Sequence, residues 1–484
     1  MSNTKKIKVL NITFYNFLSR IVFFAFVFCA NVYTSRILNP VDFGKLQYIN
    51  FSIAILWTFF NFGGAATLQR YYAQAFRNGS GIQFRQLHQF FLLAVTVSVV
   101  VSSAVWVMYS NYNARPVKGM LLIYLSSLVI SNYLQVMAQA TFSFAKLAFG
   151  NTCIAVAGFL LLLTFLPTHG MDAYVYVFTA VNFLNAFWSL WVWLSATKMN
   201  EQLQHTETRF TSNQLYGTAA ALAISSVLAA ILWQRTELYF IRRHAGFDEL
   251  AVYGVALSLL ALLVEFFRML PGAMMPYFSA HKDEGVKNAG VFYAFMRYYG
   301  WLLVFIFLYA GVESHRIIHF IYTDRYIASA DILRILLWGY ACGALSFLAT
   351  QLHMALGKNT YLIVQDTLAA VFVLAGCVWL IPTYGTVGAA WLKSSVVAYM
   401  GVAAIVYTVV RVKFHYPIRY LILSFLCAAV IVYLLRNWMN ESLLLFGLKT
   451  ALAFALYVAL SISVGVIEKQ MIKRVWQRIV GVLR

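Results

Sequence analysis

Fourteen runs of about 20 mainly apolar residues follow one another along this 484-residue chain: 12–34, 45–67, 87–109, 118–142, 150–167, 173–195, 214–240, 250–276, 295–320, 330–355, 361–381, 386–410, 417–435 and 442–467. A run of ~20 residues at 1.5 Å rise is long enough to cross the hydrocarbon core of a bilayer. In lipid every backbone N–H and C=O must be paired within the protein, and for apolar runs of this length that means α-helices. Only 11% of the residues are charged, against about 25% in a soluble domain. The chain therefore reads as an all-α polytopic membrane protein with about 14 transmembrane helices. Little sequence is left for a soluble catalytic domain.

The formal charge of +20 invites a nucleic-acid reading, but the basic residues divide by side of the membrane. With the N-terminus in the cytoplasm, 21 Lys and Arg fall in inside connections and nine in outside ones. Six more lie inside the apolar segments and complete the 36. Lys/Arg excess in short loops sets orientation, so both termini are expected in the cytoplasm, with no nucleic-acid partner. Cys29, Cys153, Cys342, Cys377 and Cys427 all fall within segments and form no C-x-x-C. Neither a disulfide framework nor a metal site is expected. Lys5, Lys6 and Lys8 before an apolar run imitate a signal peptide, but Arg20 interrupts that run, which reads as a retained first helix.

Landmarks recur through the chain. Arg20 in segment 1 corresponds to Arg235 in segment 7, Phe43-Gly44 to Tyr253-Gly254, and Gly63-Gly64 to Pro271-Gly272. Leu166-Pro167-Thr168-His169-Gly170 recurs as Ile381-Pro382-Thr383-Tyr384-Gly385. The offsets, 208 to 215 residues, describe two pseudo-symmetric six-helix lobes, 1–196 and 213–411, joined by a polar cytoplasmic linker, 197–212. Segments 13 and 14 follow in 412–467, then a basic amphipathic stretch, 468–484, suited to the cytoplasmic leaflet. Repeats that start on the same side are parallel, and the expected substrate site lies between them. Gly63, Gly64, Pro271 and Gly272 interrupt segments 2 and 8 and are hinge candidates; close helix packing is the competing reading.

The six embedded cations are Arg20, Arg235, Arg268, Arg334, Lys393 and Lys449. Each costs roughly 2.5–3.5 kcal/mol at a helix centre, so such residues face a bundle interior or a water-filled path. Arg334, near the outer end of its segment, can snorkel, and Lys449 lies outside the repeat. Arg20, Arg235 and Arg268, with Lys393 in support, are the candidates for holding an anionic cargo; guanidinium suits phosphate because it forks onto two oxygens. Glu265 and Arg268, three residues apart, are placed to pair. Glu237, Glu265 and Asp366 are the candidates for ion coupling or internal pairing. His315 and His319 are spaced i,i+4 but lack a third ligand, and there is no nucleotide-binding G-x-x-x-x-G-K-[ST]. No cofactor is implied.

The stretch Thr34-Ser35-Arg36-Ile37-Leu38-Asn39-Pro40-Val41-Asp42-Phe43-Gly44 resembles the (A/S)R-x-L-G-P-x-x-(F/Y)-G segment of polysaccharide exporters, with Asn39 in place of the usual Gly. Leu68-Gln69-Arg70-Tyr71-Tyr72-Ala73, Ala355-Leu356-Gly357-Lys358 and the block Leu380 to Ala390 are similar to the same group. Together they resemble the Wzx-type flippases of the multidrug/oligosaccharidyl-lipid/polysaccharide superfamily. The resemblance covers residues 12 to about 410. It implies two six-helix lobes with segments 1, 2, 7 and 8 along a central cavity. It also implies flipping of undecaprenyl-pyrophosphate-linked oligosaccharide units to the periplasmic leaflet, for O-antigen or capsule synthesis, with no bond made or broken. Partners on this reading are the lipid-linked oligosaccharide, membrane lipids, and the polymerase and chain-length regulator of the same pathway. A multidrug exporter of the same superfamily and a membrane polysaccharide polymerase or ligase are the alternatives. The first wants acidic residues in its cavity, the second a large extracytoplasmic loop.

Overall fold

The computed structural model describes residues 23–468, apart from 62, 79–80, 110–114, 142, 199–211, 234, 273, 275–276, 279–280, 282–284, 437 and 439–441. Arg20, most of the predicted linker and nearly all of the basic C-terminal stretch lie outside the described residues. Among those described, every regular element is helical. They are α1 (Phe23–Ile37), α2 (Pro40–Phe60), α3 (Gly64–Asn78), α4 (Gly81–Tyr109), α5 (Arg115–Ala140), α6 (Phe144–Lys198), α7 (Ser212–Trp233) and α8 (Glu237–Gly272). Then come α9 (Gly285–Val312), α10 (Ser314–Tyr322), α11 (Ser329–Ala344), α12 (Phe347–Ala355), α13 (Asn359–Tyr407), α14 (Ile418–Leu435) and α15 (Leu443–Ser463).

Among the described residues nine stretches are long and apolar enough to span a membrane, and three of them are 52, 58 and 53 residues long. At 1.5 Å per residue these three exceed twice the ~30 Å hydrocarbon core, so each supplies two crossings. Nine spans with three doubled make twelve crossings. The pair Pro40–Phe59 and Gly64–Tyr72, bent by 57°, and the partly described α1 bring the reading to fourteen.

The doubling has a local cause. In α6 the chain reverses at Gly170 (φ 57°, ψ −136°), and in α13 at Gly385 (φ 56°, ψ −135°). This backbone region is almost closed to residues with a Cβ, and each glycine follows a proline by three residues. The halves of α6 then meet where Gly158 faces Val181, and those of α13 where Gly376 faces Leu392. Two segments 215 residues apart in sequence thus form the same hairpin, the structural counterpart of the recurrent Leu/Ile-Pro-Thr-x-Gly.

By packing, the chain divides into two compact units, Met1–Gly254 and Val255–Arg484, with the boundary inside α8. In the first unit α2, α3, α4, α5 and α7 close around Ile49, Leu68, Tyr72, Leu125, Tyr133 and Leu215. Here α7, assigned to the second lobe by sequence, packs on α2 and α3. Asn39 explains its own departure from the exporter pattern. Its side chain accepts from Asp42 N at 2.8 Å and caps α2, with Pro40 in the first turn.

In the second unit α11 lies against α13, α9 against α14, and α14 against α15. Lipid removes most of the hydrophobic driving force between helices, leaving packing and interhelical hydrogen bonds. Accordingly Trp301 and Tyr457 stack with ring centres 5.2 Å apart. Trp301 Nε1 donates to Ser461 Oγ at 2.8 Å, and Tyr457 Oη to Trp301 O at 2.9 Å.

Two predicted boundaries are corrected. Segment 9 was expected at 295–320, but α9 spans Gly285–Val312, and a separate α10 begins at Ser314. Glu313 stands at the break, its carboxylate committed to two cations. Segment 7 was expected to run to 240, but α7 ends at Trp233, leaving Arg235 in a left-handed conformation (φ 59°) ahead of α8.

Candidate functional site

Arg235 sits in the connection between α7 and α8, half-buried. Leu238 N donates to Arg235 O at 2.9 Å, and Thr236 Oγ1 donates back to Ile231 O at 3.0 Å, so the turn is braced at both ends. A non-glycine residue at positive φ costs roughly 1–2 kcal/mol. Two residues on, Glu237 opens α8 and is 1% exposed, with Tyr253 Oη donating to Oε1 at 3.3 Å. That contact exists because α8 folds back on itself at Gly246 (φ 90°).

The Phe43-Gly44 and Tyr253-Gly254 landmarks mark a helix crossing within the first unit. A Cβ on Gly44 would stand 2.0 Å from Phe247 O, and one on Gly254 would meet Gln47 Cγ at 3.0 Å. Arg242 lies 4.4 Å from the centre of the Tyr48 ring and 5.5 Å from that of Phe247, a cation–π contact on the same crossing.

In the second unit Arg268 Nη1 lies 3.2 Å from Glu265 Oε1, the pairing expected from their spacing. The Arg268 side chain remains 45% exposed and also faces the Phe347 ring at 5.9 Å. Lys393 is 4% exposed on the second arm of the α13 hairpin. Its neighbour Ser394 donates to Ile335 O at 2.8 Å, and Gly339 of α11 gives Ser394 the room to approach. Asp366 is half-buried on the first arm of that hairpin.

The hinge candidates behave differently from one another. Gly63 has φ 68°, and a Cβ there would lie 2.3 Å from Ala219 O on α7. A Cβ on Gly64 would stand 2.7 Å from Tyr133 Oη. These two glycines combine a sharp bend with close packing. Gly272 ends α8 with nothing within 4 Å of an added Cβ, and Met274 N donates to Pro271 O in a following turn.

One group escaped the sequence reading. Lys449, read as a tail-side or interfacial residue, is 1% exposed. Its Nζ lies 2.7 Å from Glu313 Oε1, while Arg316 Nη1 lies 2.6 Å from Glu313 Oε2. A buried Lys in α15 needed a carboxylate, but nothing local in sequence singles out Glu313, 136 residues away. Elsewhere His315 Nε2 faces Asp331 at 3.3 Å and His319 faces Asp324. Among the described residues no three His, Cys, Asp or Glu side chains come together around a metal position.

No family model matches this sequence, and no curated protein matches it significantly. Solved structures do match its fold. The chain is similar to a lipid II flippase, MurJ, in an inward closed conformation, at a TM-score of 0.66 and 13% identity over 93% of this chain and 98% of that one. It is also similar to the eukaryotic MATE transporter AtDTX14, at 0.58 and 12% over 87% and 99% of the two chains. The Vibrio cholerae MATE transporter VcmN gives 0.55 and 12% over 84% and 98%. The chain is a multi-pass helical membrane protein with the fold seen in the lipid II flippase MurJ and in MATE transporters.

Proposed function

We propose that this protein flips undecaprenyl-pyrophosphate-linked oligosaccharide units from the cytoplasmic to the periplasmic leaflet of a bacterial inner membrane, in O-antigen or capsule synthesis. The observation that carries the reading is a cation-rich membrane domain on the fold of a lipid II flippase, matched over 98% of that chain. A lipid-linked pyrophosphate is a polyanion that must cross ~30 Å of hydrocarbon, and guanidinium keeps its charge when desolvated. Arg235 and Arg268, with Arg20 and Lys393, are the proposed pyrophosphate contacts. The bend at Gly63-Gly64 and the end of α8 at Pro271-Gly272 are the proposed hinges for alternating access. Glu265 tempers the charge of Arg268, so that release competes with binding. Glu237 and Asp366 are the proposed groups for ion coupling.

The test is surface glycan in cells lacking the protein, complemented with wild type or with Arg235→Ala/Arg268→Ala at matched expression. The double variant is expected to lower export at least ~10-fold, the effect of about 1.4 kcal/mol, with lipid-linked units accumulating on the cytoplasmic leaflet. Undiminished export by that variant overturns the site. Normal glycan in the knockout, joined by drug sensitivity, moves the assignment to multidrug export, as in the MATE transporters of the same fold.

A further inference from the structure

The second unit holds a cavity of about 200 Å³ lined by none of the proposed pyrophosphate contacts. One wall is a face of α9 from Leu303 to Val312; the other is a face of α11 from Arg334 to Leu345, with Phe425 of α14 beside them. Arg334 Nε donates to Gly311 O at 3.2 Å, whereas Leu345 lies beside Gly300, so the two helices run in opposite directions. Arg334 is the one charged residue in the lining, and it stands at one end. Both walls are cut from membrane spans, and Trp338 in the lining is 56% exposed. An apolar groove cut into membrane-length helices is suited to a lipid chain.

Its length and charge describe an occupant. Arg334 to Leu345 covers eleven residue steps, about 16 Å of helix. One leaflet of hydrocarbon is about 15 Å deep, half of ~30 Å. The groove thus spans a single leaflet with a cation at one end, the dimensions of one acyl chain below its phosphate. At that end Arg334 Nη1 lies 3.3 Å from Asp331 Oδ1, and Nη2 lies 3.4 Å from Ser314 Oγ. Asp331 also faces His315. Arg316 and Lys449 share Glu313 close by. Three cations against two carboxylates leave one positive charge, and the Arg334 side chain is 42% exposed.

We infer that this groove binds one anionic phospholipid, its acyl chain between α9 and α11 and its phosphodiester on Arg334. A polyprenyl pyrophosphate fits less well, since its tail is much longer than one leaflet and its head carries more than one negative charge. The inference needs only a membrane-embedded chain, so it stands or falls separately from the flipping assignment.

Native mass spectrometry of the full-length protein tests it, with phosphatidylglycerol or phosphatidylcholine added in detergent. Wild type is expected to retain one phosphatidylglycerol about 10-fold better than phosphatidylcholine, an effect of about 1.4 kcal/mol. Phosphatidylcholine carries the same phosphodiester, but its trimethylammonium cancels the charge and is repelled by the positive end of the groove. Arg334→Gln is expected to remove the preference, and Ala341→Trp to expel both lipids by filling the groove. Should Ala341→Trp fail to fold, alkylation of the exposed Cys342 in a Cys29→Ser/Cys153→Ser background gives a second readout. Phosphatidylglycerol is expected to slow that reaction several-fold, and phosphatidylcholine to leave it nearly unchanged. Equal retention of phosphatidylglycerol by wild type and Arg334→Gln overturns the inference. So does displacement of the bound phospholipid by undecaprenyl pyrophosphate, which would make the groove a cargo-tail site.

Discussion

Lys449 shows how much a single embedded charge depends on its partner. Its side chain is fully buried, and Glu313, 2% exposed, holds it at 2.7 Å. Removing one member of a buried pair leaves an uncompensated charge and costs about 3–5 kcal/mol, whereas replacing both members by apolar groups is often close to neutral. Lys449→Met alone is expected to lower the melting temperature in detergent clearly, with Glu313 left facing only Arg316. The triple change Lys449→Met/Glu313→Gln/Arg316→Gln is expected to recover most of the loss. Equal melting temperatures for wild type and Lys449→Met would show that the pair contributes nothing. Arg235, another cation in an apolar run, stands at a backbone break, with φ 59°.

At the scale of elements, helices meet here where glycine lets backbones approach. Gly44 admits Phe247 O, and Gly339 admits the backbone and hydroxyl of Ser394, each to within 2.0–2.2 Å of where a Cβ would stand. A carbonyl or a Cα cannot swing aside as a rotamer does. Gly44→Ala and Gly339→Ala are therefore each expected to cost about 1–3 kcal/mol, the usual range for overpacking. Gly254 faces the flexible side chain of Gln47, so Gly254→Ala is expected to cost under ~1 kcal/mol. Thermal unfolding of the three variants ranks them, and Gly254→Ala as the worst would reverse the argument. The Phe/Tyr-Gly landmarks were legible in sequence as a repeat. Their meaning as one crossing was not, because 200 residues of chain separate the surfaces that touch.

At the scale of the whole molecule, the charge bias of the connections predicts orientation. Lys358, between α12 and α13, belongs to the inside set, and Arg436, after α14, to the outside set. In a cysteine-free background, a membrane-impermeant maleimide on intact cells is expected to label Arg436→Cys at once. It is expected to label Lys358→Cys only after permeabilisation. The reverse pattern would invert the topology and with it the direction of the proposed transport.

Sequence by itself determined the solvent, the element type and the approximate number of crossings. These follow from local physics: about 20 apolar residues span a bilayer, and a backbone in lipid must pair within its own helix. It also exposed the matched Pro-Thr-x-Gly reversals, because a backbone with φ near 57° selects glycine wherever it occurs. Only the tertiary structure decided that Lys449 meets Glu313, that α7 packs with α2 and α3, and that α9 stops at Glu313. Those outcomes depend on side chains brought together from more than 100 positions apart. A hydrophobic pattern with a period of a few residues carries no information about such distant contacts.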